Sequence, residues 1–121
     1  MIRIAAETDI LGMVDVQPTF MPDGELPVPD GQDVVPAINH LSGRFAHAFT
    51  TQDWHPPGHV SFASAHPSRS PYDLVTMPHG EQVLWPDHAL QGTANAELHA
   101  GLDDGKIEVV IRKGFHRGID S

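Results

Sequence analysis

Ile10-Leu11-Gly12-Met13-Val14-Asp15-Val16 is the stretch on which the fold class turns. It is an apolar run of strand length, interrupted by Gly12, with a carboxylate near its end, and Pro18 and Pro22-Asp23-Gly24 follow at once. A run of this kind predicts a buried strand emptying into a loop. Met21 to Pro29 holds too many prolines for a helix, whereas Asp33 to Leu41 (DVVPAINHL) spaces its apolar residues helically, with Asp33 as N-cap. Pro36 fits only the first turn of that helix, and Ser42-Gly43 ends it. Phe45 to Thr51 (FAHAFTT) is a second strand candidate. Lys106 to Lys113 (KIEVVIRK) is the clearest strand, with Ile107, Val109 and Ile111 alternating with Glu108, Val110 and Arg112.

From Asp53 to Gln91 neither period is sustained, and prolines fall at positions 56, 57, 67, 71, 78 and 86. A loop this long inside a compact domain is usually functional. Asn95 to Gly101 predicts a short helical turn. Strand, helix, strand, long loop, strand is the order of an α/β protein with parallel strands, whose ligands bind at the carboxyl ends of the strands. The 121 residues suit a single domain spanning 1–121.

Seven Lys and Arg against sixteen Asp and Glu leave a formal charge of −9. Such a field repels phosphate backbones and anionic bilayers, so neither nucleic acid nor a membrane is an expected partner. No run approaches the roughly 18 to 20 apolar residues of a membrane span, and Met1 to Ile10 lacks the basic opening and apolar core of a signal peptide. A cytoplasmic protein is expected. The chain has no Cys, which removes disulfides, thiolate metal sites and a thiol nucleophile from these residues. It has nine His, the common neutral metal ligand.

Asp15, the segment Asp53 to His59 and Lys113 all fall at carboxyl ends of the three predicted strands. Asp15 alone can equally cap a loop, and Lys113 alone can be a solvated charge. Together they can form an acid–amine pair in which the lysine keeps the carboxylate ionised and the carboxylate takes a proton from a nucleophile. Asp53 and His55 lie two residues apart, close enough to reach one cation from extended backbone. His88, in Trp85-Pro86-Asp87-His88, can supply a third ligand or merely cap its loop. The resulting Asp/His/His set leaves positions open for water or substrate, as catalytic zinc and non-haem iron sites do. His59, His66, His79 and His99 read as surface or loop residues. Phosphate-loop, His-Glu-x-x-His and Gly-x-Ser-x-Gly templates are all absent.

At these residues the chain resembles the amino-terminal part of the bacterial nicotinamidases (pyrazinamidases), members of the isochorismatase-like hydrolases. The resemblance is carried by Val14-Asp15-Val16-Gln17 with Phe20, by Gly24 to Pro29 (GELPVP), by Thr51 to Ser64 (TQDWHPPGHVSFAS), by Trp85-Pro86-Asp87-His88 with Gln91-Gly92-Thr93, and by Arg112-Lys113-Gly114. It implies a three-layer α/β/α fold around a parallel sheet, here incomplete with about three strands, and hydrolysis of nicotinamide to nicotinate and ammonia in NAD salvage. It further implies that Asp15 is the base for a cysteine nucleophile and that Lys113 is the cation lowering the thiol pKa. Asp53, His55 and His88 would hold one divalent zinc, iron or manganese ion, and Phe20 and Trp85 would pack on the substrate ring. Whether His59 or Ser61 also contacts the metal is left open. Pro18-Thr19 and Ala89 depart from the residues many relatives carry there.

The family's nucleophile lies beyond the last matching motif. The expectation is therefore a truncated amidase domain, inactive alone, with a second chain or a homo-oligomer as one way to complete its sheet. The alternatives are a non-catalytic metal- or nicotinamide-binding remnant, a hydrolase of another small amide, and direct attack by metal-bound water.

Overall fold

The computed structural model describes residues 1–121. Three strands, β1 (Ile10–Val14), β2 (His47–Asp53) and β5 (Ile107–Lys113), form a parallel sheet in the order β1-β2-β5. The single α-helix, α1 (Val34–Ser42), crosses from β1 to β2. It turns Val35 and Ile38 onto Met13 and Ala48, and Val16, Met21 and Leu102 complete this small core. Pro36 sits in the first turn, as expected. Asp33 stands at the N-cap position but makes no capping hydrogen bond, because Gly31–Asp33 is a 3₁₀ turn that runs directly into the helix. At the other end, Lys106 Nζ donates to the carbonyls of Ser42 (2.7 Å) and Phe45 (2.6 Å), where the helix leaves acceptors free.

Only one face of the sheet is covered. Leu11, Met13, Ala48 and Ile107 face α1 and its surroundings. On the opposite face Ile10, Val14, Val109 and Ile111 are about half or more exposed. The predicted buried strand at Ile10–Val16 is thus a shorter strand buried on one side. The ring of Phe49 also lies on this open face, over Gly12, where a Cβ would stand 2.8 Å from Phe49 Cζ.

The strict alternation expected from Ile107 to Arg112 is broken in the structure. Ala48 pairs with Ile107 but Phe49 pairs with Val109, so the register slips at Glu108. This bulge sends Ile107 to the core while Val109 and Ile111 point to the open side.

The long irregular stretch is less structureless than its prolines suggest. It contains an antiparallel hairpin of β3 (Leu74–Met77) and β4 (Gly80–Val83), turned by Pro78-His79, and a 3₁₀ turn at Ala63–Ala65. Its strands are four residues each, too short for the period to stand out between prolines. The turn predicted near Asn95 is a 3₁₀ turn at Ala94–Ala96. No helix is long and apolar enough to cross a membrane.

Candidate functional site

The carboxyl ends of β1, β2 and β5 deliver three charged side chains to one point. Lys113 Nζ lies 2.7 Å from Asp15 Oδ2 and 2.5 Å from Asp53 Oδ1. Burial opposes the lysine's charge, but the hydrogen bonds to Asp15 and Asp53 outweigh it and raise the pKa above the usual amine value. Lys113 is therefore an ammonium at neutral pH. Asp15 follows β1 with φ of 51°, a left-handed conformation that a non-glycine residue holds only under constraint. Thr51 supplies that constraint. Its hydroxyl donates to Asp15 Oδ1 (2.6 Å) and accepts from the Asp15 amide (3.1 Å), aiming the other carboxylate oxygen at Lys113.

Asp53 is held from both ends of its own backbone. Gln17, fully buried, accepts from the Asp53 amide through Oε1 (2.9 Å) and donates to the Asp53 carbonyl through Nε2 (2.9 Å). The same Nε2 reaches the Ala96 carbonyl at 2.8 Å. Burial pushes the Asp53 carboxyl pKa up, but His55, His88 and Lys113 together hold it well below the usual carboxylate range.

Asp53, His55 and His88 are all buried, with donor atoms within 4.8 Å of one another. Asp53 Oδ2 lies 3.4 Å from His55 Nε2 and 3.7 Å from His88 Nε2. Each imidazole spends its other nitrogen on a carbonyl: His55 Nδ1 donates to Gly114 (2.9 Å) and His88 Nδ1 to Pro86 (2.7 Å). A carbonyl only accepts, so both rings carry a proton on Nδ1, and their Nε2 atoms converge with Asp53 Oδ2 on one point. This is the arrangement of metal-binding histidines fixed by their outer hydrogen bonds, and the donor set fits a divalent cation. The two histidine loops are joined by backbone bonds, His55 N to Ala89 O and Gln91 N to His55 O, both 2.9 Å. Gly114 has φ of +64°, and a Cβ there would stand 2.3 Å from His55 Cε1, so only glycine admits the ring. Phe62, fully buried, closes the underside, edge-on to both His55 and His88 at 5.4 Å.

Phe20 stands 5.9 Å from the His88 ring and lines, with Asp15, Met21, Val28, Gly31 and Val34, an open cleft of about 180 Å³. That is smaller than the roughly 300 Å³ at which small-molecule sites begin, and the cleft lacks a wall. Trp85 does not line it; the ring packs edge-on against Tyr72 at 6.0 Å.

His59, read from the sequence as a loop residue, is fully buried beside His55, with ring centres 4.3 Å apart. Its neighbour Ser61 is likewise fully buried, and burial lowers the His59 pKa. Gln17 and Thr51 were not singled out by spacing, since nothing in a one-residue amide or hydroxyl signals a partner tens of residues away.

No family model matches the chain. It is 50% identical to a nicotinamidase of Acinetobacter baylyi over 109 residues, covering 90% of this chain and 51% of that protein. Among solved structures, a nicotinamidase/pyrazinamidase of Acinetobacter baumanii superposes with a TM-score of 0.91 at 44% identity, over 98% of this chain and 56% of the other. The yeast nicotinamidase bound to the inhibitor nicotinaldehyde gives 0.79 at 31% identity, over 89% and 57%. A pyrazinamidase of Pyrococcus horikoshii in complex with zinc gives 0.69 at 31% identity, over 96% and 56%. In sequence and in fold the chain is similar to the nicotinamidases almost throughout, and it spans about half the length of the curated relatives it matches.

Proposed function

We propose that this chain supplies the metal site and the acid–amine pair of a nicotinamidase, an amidase that converts nicotinamide to nicotinate and ammonia in cytoplasmic NAD salvage. The observation that carries the reading is Lys113 bridging Asp15 and Asp53 at the carboxyl ends of all three strands. The comparisons support it through the relatives' activity and through the zinc and nicotinaldehyde bound to two of the structural neighbours.

Asp15 takes the proton of a cysteine thiol, and the Lys113 ammonium stabilises the thiolate. The thiolate bonds to the amide carbon. When the C–N bond breaks, the proton held by Asp15 leaves with ammonia. Water then cleaves the thioester, releasing nicotinate and restoring the thiol. With no Cys among the 121 residues, the thiol comes from sequence outside them. Asp53, His55 and His88 would hold one zinc, iron or manganese ion, which would supply Lewis-acid chemistry beside the Asp15–Lys113 pair. Phe20 packs against the ring of the substrate, and Trp85, outside the Phe20 cleft, is the second aromatic of this reading.

The test is ammonia release from nicotinamide, with stoichiometric zinc or manganese, by the 121-residue chain and by a chain extended to the relatives' length. Turnover by the extended chain alone is expected. Turnover by the 121 residues alone would replace the thiol with metal-bound water, and nicotinamide binding without turnover in both would make this a binding module.

A further inference from the structure

Three hydrogen bonds tie the segment after β5 to the loop that carries His55, and a fourth ties it to β4. His55 Nδ1 donates to Gly114 O (2.9 Å), the Val60 amide to Arg117 O (2.8 Å) and His59 Nε2 to Ile119 O (2.9 Å), and Gln82 Nε2 donates to Asp120 Oδ2 (2.8 Å). Among these donors His59 is the side chain outside the candidate ligand set whose ring packs on His55, with centres 4.3 Å apart and planes tilted by 38°.

His59, His55 and Asp120 make a second compact group of donor atoms, all within 4.8 Å of one another. The hydrogen bonds of His59 exclude it as a ligand. Nε2 faces the Ile119 carbonyl and must carry the proton; Nδ1 accepts from the Ser61 amide (3.2 Å) and the Ser61 hydroxyl (2.7 Å). No lone pair is left for a cation. A fully buried, neutral imidazole with both nitrogens committed is a fixed strut.

At the far end of the strut, Ser121 Oγ lies 3.3 Å from Asp53 Oδ1 and 3.4 Å from Lys113 Nζ. We infer that His59 is a positioning residue that transmits the seating of His55 to residues 115–121, so that filling the Asp53/His55/His88 site fixes this segment against Lys113 and Asp53. The inference rests on the proposed metal role of those three residues. In chemical terms, a cation held by His55 restrains the ring on which His59 packs, and the His59 Nε2–H bond to Ile119 carries that restraint to the segment.

The experiment is hydrogen exchange of the amides of residues 116–121, with and without zinc, alongside zinc affinity by chelator competition. In the unsubstituted chain zinc slows exchange of these amides by about fivefold, the worth of one net hydrogen bond. His59→Phe keeps the ring stack but has no donor; it binds zinc within about threefold of the parent and loses the zinc-dependent protection. His59→Gln restores an N–H toward Ile119 and recovers part of that protection. A purely packing role would show the reverse order, Phe protected and Gln not, and would overturn the inference. So would a fall in zinc affinity for either variant as large as that of His55→Ala, which would make His59 a ligand. Failure of the parent chain to bind zinc at all would refute the metal reading itself, and the inference with it.

Discussion

Lys113 Nζ reaches Asp15 Oδ2 at 2.7 Å across the end of β2, joining the two outer strands of the sheet through a side chain that also touches Asp53 in the strand between them. One ammonium shared by two carboxylates leaves a net negative cluster in which Lys113 supplies the positive charge. In a chain that includes the nucleophile, Lys113→Ala raises the pH at which the thiol reacts with an alkylating reagent by about one unit. An unchanged pH profile of alkylation would reduce Lys113 to a structural charge.

The same cluster sets an acid limit on the metal-free fold. The Asp53 carboxyl is held below its unfolded value, which is about 4, so its contribution to stability is complete above that pH and is lost as pH falls beneath it. Lys113 is raised, so its contribution is complete below the ordinary amine pKa and is lost only at alkaline pH. Thermal melts from pH 5 to pH 2.5 lie below the histidine range and isolate the acid limb. Asp53→Asn is expected to flatten that limb; a slope equal to the parent's would mean that Asp53 is not paired in solution.

Cation binding is expected to show directly in stability. A ligand at about 100 times its dissociation constant adds about 2.7 kcal/mol, roughly 10 °C in melting temperature for a chain of this size. Zinc or manganese should give such a shift to the parent chain and none to His55→Ala, with the bound metal counted by mass spectrometry. An equal metal content in His55→Ala would discard the Asp53/His55/His88 set.

How far the sequence foretells this arrangement depends on the range of the signal. Strands β1, β2 and β5 and helix α1 are legible within a residue or two because each is a local apolar period. Asp15, Asp53 and Lys113 are legible as a group because strand ends of a parallel sheet converge; His55 follows from its spacing to Asp53, and a ligand role for His88 is one of two readings of its loop. The hairpin at Leu74–Val83 is not, since four-residue strands between prolines carry no period. Nor is the bulge at Glu108, which depends on how β5 meets β2. Thr51, Gln17 and His59 act through hydrogen bonds to backbone and side chains, most of them distant in sequence, and residue type alone does not announce them.

The open face of the sheet predicts self-association of the isolated chain. Ile10, Val14, Val109 and Ile111 are exposed side by side, and the outer edge of β5 offers unpaired backbone groups. Sedimentation velocity should therefore find concentration-dependent oligomers. The double variant Val109→Lys/Ile111→Lys is expected to shift the distribution toward monomer while leaving zinc affinity within about twofold, because neither side chain faces the core. Identical oligomer distributions for parent and variant would place the contact elsewhere.

Gln17 offers a test of positioning without touching any charged group. Its amide stands in for a neighbouring strand, pairing with both the N–H and the carbonyl of Asp53 and holding the Ala96 carbonyl as well. Gln17→Leu keeps the volume but leaves these buried backbone groups without partners, at a cost of about 2–4 kcal/mol. Gln17→Glu keeps the acceptor for the Asp53 amide but sets an oxygen against two carbonyls, so it should be no better. Both variants are expected to melt earlier and, because the Asp53 backbone is released, to bind zinc at least several-fold more weakly by chelator competition. If Gln17→Leu lowered the melting temperature yet kept the parent's zinc affinity, the splice would be a matter of stability alone, and Asp53 would be aimed by Lys113 and the two histidines without help from Gln17.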